Sequence, residues 1–76
     1  MRSGAFAVRS VGYLTEARVR GQPLQLEEHT SRAAALARAR KLSRDGAQVD
    51  VFELQDGDRF LIAIGRAGEG RLVLDV

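Results

Sequence analysis

The segment from Thr30 to Gly46, TSRAAALARARKLSRDG, limits the fold more than any other, because it alone shows clear helical periodicity. Its small and apolar side chains recur at helical spacing and fall on one face, with Ser43 at the edge: Ala35, Leu36, Ala39 and Leu42. A face this rich in alanine predicts a helix that lies close to a sheet. The rest of the fold must therefore form against this one helix.

The ends of the helix also carry local signals. Thr30 or Ser31 is the expected N-cap, because a hydroxyl oxygen there accepts a hydrogen bond from the first-turn amides. Glu27 and Glu28 precede it, where negative charge suits the helix dipole. Gly46 is the expected left-handed stop.

Before the helix, residues 5–9 and 13–19 are β-prone, and a bulge or bend is expected around Gly12. Gly21-Gln22-Pro23 is a turn signal, and residues 24–28 alternate as a short strand. These segments predict a first hairpin.

After the helix, residues 47–54 and 59–64 read as strands around Asp56-Gly57, a strong hairpin signal. A glycine-rich loop, residues 65–70, leads to a last strand, residues 71–76. The fold class is therefore α+β in the order β-β-α-β-β-β, with one helix packed on one face of a four- or five-stranded, mainly antiparallel sheet. The strands joined by the helix, 24–28 and 47–54, are expected to run parallel.

Alternation along these strands predicts a core and leaves a second apolar set on the other face. The predicted core is Phe6, Val8, Leu24, Leu26, Ala35, Leu36, Ala39, Leu42, Val49, Val51, Phe60, Ile62, Ile64, Leu72 and Leu74. The set off the core face is Phe52, Leu54, Leu61, Ala63 and Val73. One helix cannot cover both faces, so either a second copy covers this candidate interface or the face assignment slips at a bulge.

Length and composition restrict the class of protein. Seventy-six residues predict a single domain over residues 1–76, with a core that leaves little stability to spare. The absence of cysteine and the single histidine argue against disulfides and structural zinc, so no metal or cofactor is expected and self-association gains weight. The 45% apolar fraction suits a globular domain, and no apolar run is long enough for a membrane span or a secretory signal. We expect a cytoplasmic protein.

Candidate catalytic groups are sparse. His29 beside Glu27 and Glu28 allows an acid/base pair, but no nucleophile accompanies it, so a solvated residue next to the helix cap is favoured. Asp56 and Asp58 flank Gly57, but the fuller spacing of a calcium loop is missing and the turn already explains them. We therefore expect no enzymatic activity.

Two further patterns bear on phosphate and nucleic-acid binding. Gly65, Gly68 and Gly70 look like a phosphate loop or a Gly-x-x-Gly clamp, but a strand follows them rather than a helix, which favours a hairpin loop. The outer face of the helix carries the candidate nucleic-acid-binding residues Arg38, Arg40, Lys41 and Arg44. A solvated face is favoured there, because the net charge is only +2.

The strand and helix order over residues 13–64 resembles that of small bacterial domains, and this resemblance implies no functional residues. The leading hypothesis is a small non-enzymatic protein that acts by association, as a homodimer through its open sheet face. The alternative is a nucleic-acid-binding accessory protein that uses the basic helix face.

Overall fold

A computed structural model describes residues 11–74 of the protein. It contains strands β1 (Val11–Arg18), β2 (Gln25–His29), β3 (Gln48–Gln55), β4 (Asp58–Gly65) and β5 (Leu72–Leu74), and helix α1 (Arg32–Arg44) between β2 and β3. The strands form one five-stranded sheet in the order β2-β1-β3-β4-β5, which confirms the predicted α+β class and element order. The predicted strand over residues 5–9, with Phe6 and Val8, lies outside the described residues.

Every neighbouring pair of strands is antiparallel. Because β2 and β3 lie on either side of β1, they run parallel to each other, as the helical connection predicted. The pairing of β1 with β3 is continuous from Val11 to Arg18, so the bulge expected at Gly12 is wrong for the described residues. No helix in residues 11–74 is long and apolar enough to cross a membrane.

Local backbone chemistry sets both ends of α1. The Ser31 hydroxyl is the N-cap, and it accepts a hydrogen bond from the Ala34 amide at 3.1 Å. At the other end Gly46 has a φ of 109°, and its amide donates to the Ser43 carbonyl at 3.0 Å. The amide of Ala47 donates to the Leu42 carbonyl at 2.9 Å, which completes a Schellman motif.

The two predicted tight turns are confirmed. Asp56 and Gly57 have φ values of 51° and 86°, the pair of left-handed residues that a type I′ hairpin turn requires. Gly21 has a φ of 79°, and the Gln22 amide donates to the Val19 carbonyl at 3.0 Å. Both turns depend on residues that tolerate positive φ.

A bulge in β4 changes the predicted faces of that strand. Val51 pairs with Ala63, but Phe52 pairs with Leu61, so Ile62 is an extra residue between them. Alternation fails across an inserted residue, and Phe60, Ile62 and Ile64 therefore do not share one face as predicted. Ala63 moves to the helix side, where it is 0% exposed, so its assignment to the open face is corrected.

The core is smaller than the sequence predicts and is built mainly from alanine and valine: Ala17, Ala35, Ala39, Ala47, Val49, Val51, Ile62 and Ala63. Leu36, Leu42 and Leu72 are only partly buried at its margin. Four residues predicted for the core, Leu24, Leu26, Phe60 and Leu74, are instead about half exposed. For Leu26 the reason is its pairing with Glu16, which places it on the face opposite the helix.

Candidate interaction surfaces

The sheet face opposite α1, called here the open face, carries a row of apolar residues across the three central strands. Leu14 of β1 pairs with Phe52 of β3, which pairs with Leu61 of β4. All three are partly exposed, and Val73 on β5 is 66% exposed. Of the predicted interface residues, Phe52, Leu54, Leu61 and Val73 are partly or fully exposed, and the register places them on the open face.

A cluster of charged side chains lies beside this row. Arg18 Nη2 donates to Asp50 Oδ2 at 2.8 Å and lies 3.6 Å from Glu16 Oε1. Arg59 donates to the other oxygen of Glu16, and its guanidinium carbon lies 4.6 Å from the centre of the Phe52 ring. Glu16 is only 8% exposed because these groups cover it. The hydrogen bond that Arg18 donates to Asp50 holds the pKa of Arg18 above its ordinary value.

The charge cluster is a feature that sequence reasoning missed. The same alternation that selected Phe52 and Leu54 also places Glu16, Arg18 and Asp50 off the core face. The face on which each of these charged residues lies can therefore be predicted from its own strand. The pairing of Arg59 with Glu16 cannot, because 43 positions separate them along the chain.

The basic face of α1 divides into paired and unpaired cations. Arg38 makes a bidentate contact with Glu27, at 2.8 Å and 3.0 Å. Lys41 contacts Asp45 one turn later at 3.2 Å. Arg40 and Arg44 are exposed and form no ion pair within residues 11–74. Half of the predicted nucleic-acid-binding set is therefore already paired within the chain.

The contact between Arg38 and Glu27 predicts a small acid-dependent contribution to stability. The hydrogen bonds from Arg38 lower the pKa of Glu27 below its ordinary value of 4.5. A lowered folded-state pKa stabilises the fold above the unfolded pKa, and this stabilisation is lost as the pH falls through the lowered value. Both side chains are more than a third exposed, so solvent screening limits the effect to about 0.5 kcal/mol.

We therefore expect Glu27→Gln to lower the free energy of unfolding by about 0.5 kcal/mol at pH 7 and to have almost no effect near pH 2–3. Urea titrations of both proteins at the two pH values measure this. Glu28→Gln, on the neighbouring exposed residue, is the control. An equal loss at both pH values would mean that the charge of Glu27 is not the cause.

The neighbouring histidine packs against the sheet rather than into solvent. His29 Nε2 lies 3.2 Å from Thr15 Oγ1 and 4.0 Å from Glu27 Oε1, and the histidine side chain is 14% exposed. Thr15 is 1% exposed, so its hydroxyl is out of reach of a substrate. Within residues 11–74 no pocket forms, and no group of His, Cys, Asp or Glu is arranged to hold a metal ion.

The glycine-rich loop joins β4 to β5, as predicted, and Ser43 at the end of α1 holds it. The buried Ser43 hydroxyl donates to the Arg66 carbonyl at 2.6 Å and accepts from the Gly70 amide at 3.0 Å. The Ser43 carbonyl accepts from the Gly68 amide at 2.6 Å. Because Ser43 already occupies both of these glycine amides, they do not face outward as a phosphate loop requires.

Comparison of the chain with known protein families, with curated proteins and with solved structures finds no match in any of the three. The surfaces of this fold are therefore interpreted from their own chemistry.

Proposed function

We propose that this chain is a small, non-enzymatic, cytoplasmic association domain, and that its open face packs against the open face of a second copy. The observation that carries the proposal is the apolar row of Leu14, Phe52 and Leu61, which the only helix in residues 11–74 leaves uncovered. Exposed apolar rows on a sheet are typical of surfaces that bind a partner.

The pairing of the central charges supports this. Burying an unpaired charge opposes association strongly, whereas a pair that is already hydrogen-bonded is far less unfavourable to cover. On this face Arg18 contacts Asp50 and Arg59 contacts Glu16. A partner can therefore cover the centre of the face without isolating a charge.

The same pairing favours a second copy over an unlike partner. In a twofold dimer a surface meets itself, so a face with strong net charge would repel its own copy. The central charges of the open face, two acidic and two basic, cancel: Glu16, Asp50, Arg18 and Arg59. Twofold dimers are also the commonest assemblies of soluble proteins.

Light scattering behind size exclusion at micromolar concentration tests this, with a mass of twice 8.3 kDa expected. Val73→Lys should raise the dimer dissociation constant about tenfold or more, because Val73 is 66% exposed on the open face. Leu74→Lys is the matched control, since Leu74 is 48% exposed on the other side of the same strand. A mass of 8.3 kDa at every concentration, or equal effects of the two variants, would contradict the proposal.

A nucleic-acid interface over the whole basic helix face has less support, because Glu27 and Asp45 already neutralise Arg38 and Lys41. The other two residues of that set, Arg40 and Arg44, belong to a different surface.

A further inference from the structure

Most unpaired charges of residues 11–74 separate along the strand direction, and the exceptions are Arg32 at the acidic end and Glu69 at the basic end. The β3–β4 hairpin at one end of the sheet carries Asp56 and Asp58, with Glu53 just before it. The β4–β5 loop and the last turns of α1 lie at the opposite end, because β4 runs away from the hairpin and α1 ends just before β3 begins. That end carries Arg40, Arg44, Arg66 and Arg71 on the helix side, and Arg20 in the β1–β2 turn. The net charge of +2 hides this separation.

Backbone contacts bring the four arginines on the helix side together. The Arg66 carbonyl is bonded to the side chain of Ser43, the residue before Arg44. A methyl group placed on Gly70, the residue before Arg71, would lie 3.3 Å from Cβ of Arg44. Arg40 lies one turn before Arg44, about 6 Å along the helix axis. We call Arg40, Arg44, Arg66 and Arg71 the arginine patch.

The patch is not neutralised from within residues 11–74. All of its members are exposed, and none forms an ion pair there, whereas Arg18, Arg38, Lys41 and Arg59 all do. Glu69 is the unpaired acidic residue in the loop. Arg40 and Arg44 also repel each other, since like charges four residues apart destabilise a helix. An anion bound across them relieves that repulsion.

The shape of the patch favours an extended polyanion over a single small phosphate. No pocket forms in residues 11–74, and the loop amides of Gly68 and Gly70 are bonded to Ser43. The guanidinium groups instead come from a helix and a loop and spread over an open surface. Guanidinium binds phosphate bidentately, and a nucleic-acid backbone presents many phosphates at spacings of a few Å.

We propose that the arginine patch binds the phosphate backbone of nucleic acid without reading its sequence. This site is distinct from the open face and does not depend on dimerisation. Contacts to the backbone position a protein on a duplex but carry no base information. Neutralising about four phosphates gives a salt slope near −3.6, so affinity falls roughly 100-fold between 50 mM and 200 mM salt.

Fluorescence anisotropy with a labelled 20-base-pair duplex tests the proposal. Arg66→Gln and Arg71→Gln should each reduce the salt slope by about 0.9, and the double variant by about twice that. Arg32→Gln is the matched control, because Arg32 is exposed at the opposite end of α1 and its loss changes the net charge equally. Its slope should stay that of the unmodified protein.

Three outcomes would overturn the proposal. One is no binding at 50 mM salt. Another is an equal effect of Arg32→Gln and Arg66→Gln, which would mean that only the overall charge acts. The third is binding to phosphatidylserine vesicles but not to the duplex, which would make the patch a membrane contact. In the Val73→Lys background, Arg66→Gln should reduce the salt slope by the same amount as in the unmodified protein, which separates this test from that of the dimer.

Discussion

Replacing Ala39 with leucine is expected to lower the free energy of unfolding by about 2–3 kcal/mol, the largest single effect we predict. Ala39 is 0% exposed, and it belongs to the buried cluster that includes Val49 and Val51 of the sheet. Three extra carbon atoms at this contact must push α1 away from the sheet or force strained rotamers. A domain of this size has only about 3–5 kcal/mol of stability, so most of it would be lost.

Thermal unfolding monitored by circular dichroism measures the effect as a fall in the melting temperature of about 10–20 °C. Ala37→Leu is the matched control, because Ala37 lies on the exposed side of the same helix and leucine is nearly as good a helix former. If both variants unfold at the same temperature, the packing of α1 on the sheet is not as close as the structure shows.

Replacing Ser43 with alanine is expected to lower the free energy of unfolding by about 2 kcal/mol. Ser43 is 0% exposed, and its hydroxyl makes hydrogen bonds to the Arg66 carbonyl and the Gly70 amide. Removal of the hydroxyl leaves the Gly70 amide without this partner, and the Arg66 carbonyl keeps only its hydrogen bond from the Glu69 amide. The β4–β5 loop then loses its side-chain attachment to α1.

Ser31→Ala makes the same chemical change at the exposed N-cap and should destabilise the fold by only about 1 kcal/mol. Urea titration compares the two variants. Amide hydrogen exchange adds a local measure, since the Gly70 amide should exchange faster in Ser43→Ala than in Ser31→Ala. Unchanged protection of Gly70 in both variants would show that Ser43 does not hold the loop.

Alternation along a single strand predicts the face of some residues in the candidate surfaces correctly and of others wrongly. Phe52 and Leu54 lie on β3, which carries no extra residue, so their face follows from the alternation along that strand. Ala63 does not, because the extra residue at Ile62 reverses the alternation in β4. A bulge is one explanation for doubly apolar strands, but its position at Ile62 depends on the pairing of β3 with β4, which a single strand does not reveal.

The basic residues show the same limit for electrostatics. Arg38 and Arg44 look alike in sequence, since both are helical arginines six residues apart. Only the folding of β2 beside α1 brings Glu27 to Arg38, and only the β4–β5 loop places Arg66 and Arg71 near Arg44. Which cation is neutralised therefore depends on partners that are distant in the chain.

The sequence by itself determined the elements, their order and the chemistry of their ends. Ser31, Gly46 and the Asp56-Gly57 turn act on the backbone within a few residues, so their effects are readable locally. The tertiary structure decided the strand order, the bulge at Ile62, the attachment of the loop to Ser43 and the pairing of Arg59 with Glu16. These features depend on the register between separate strands, and no pattern within a single strand specifies that register.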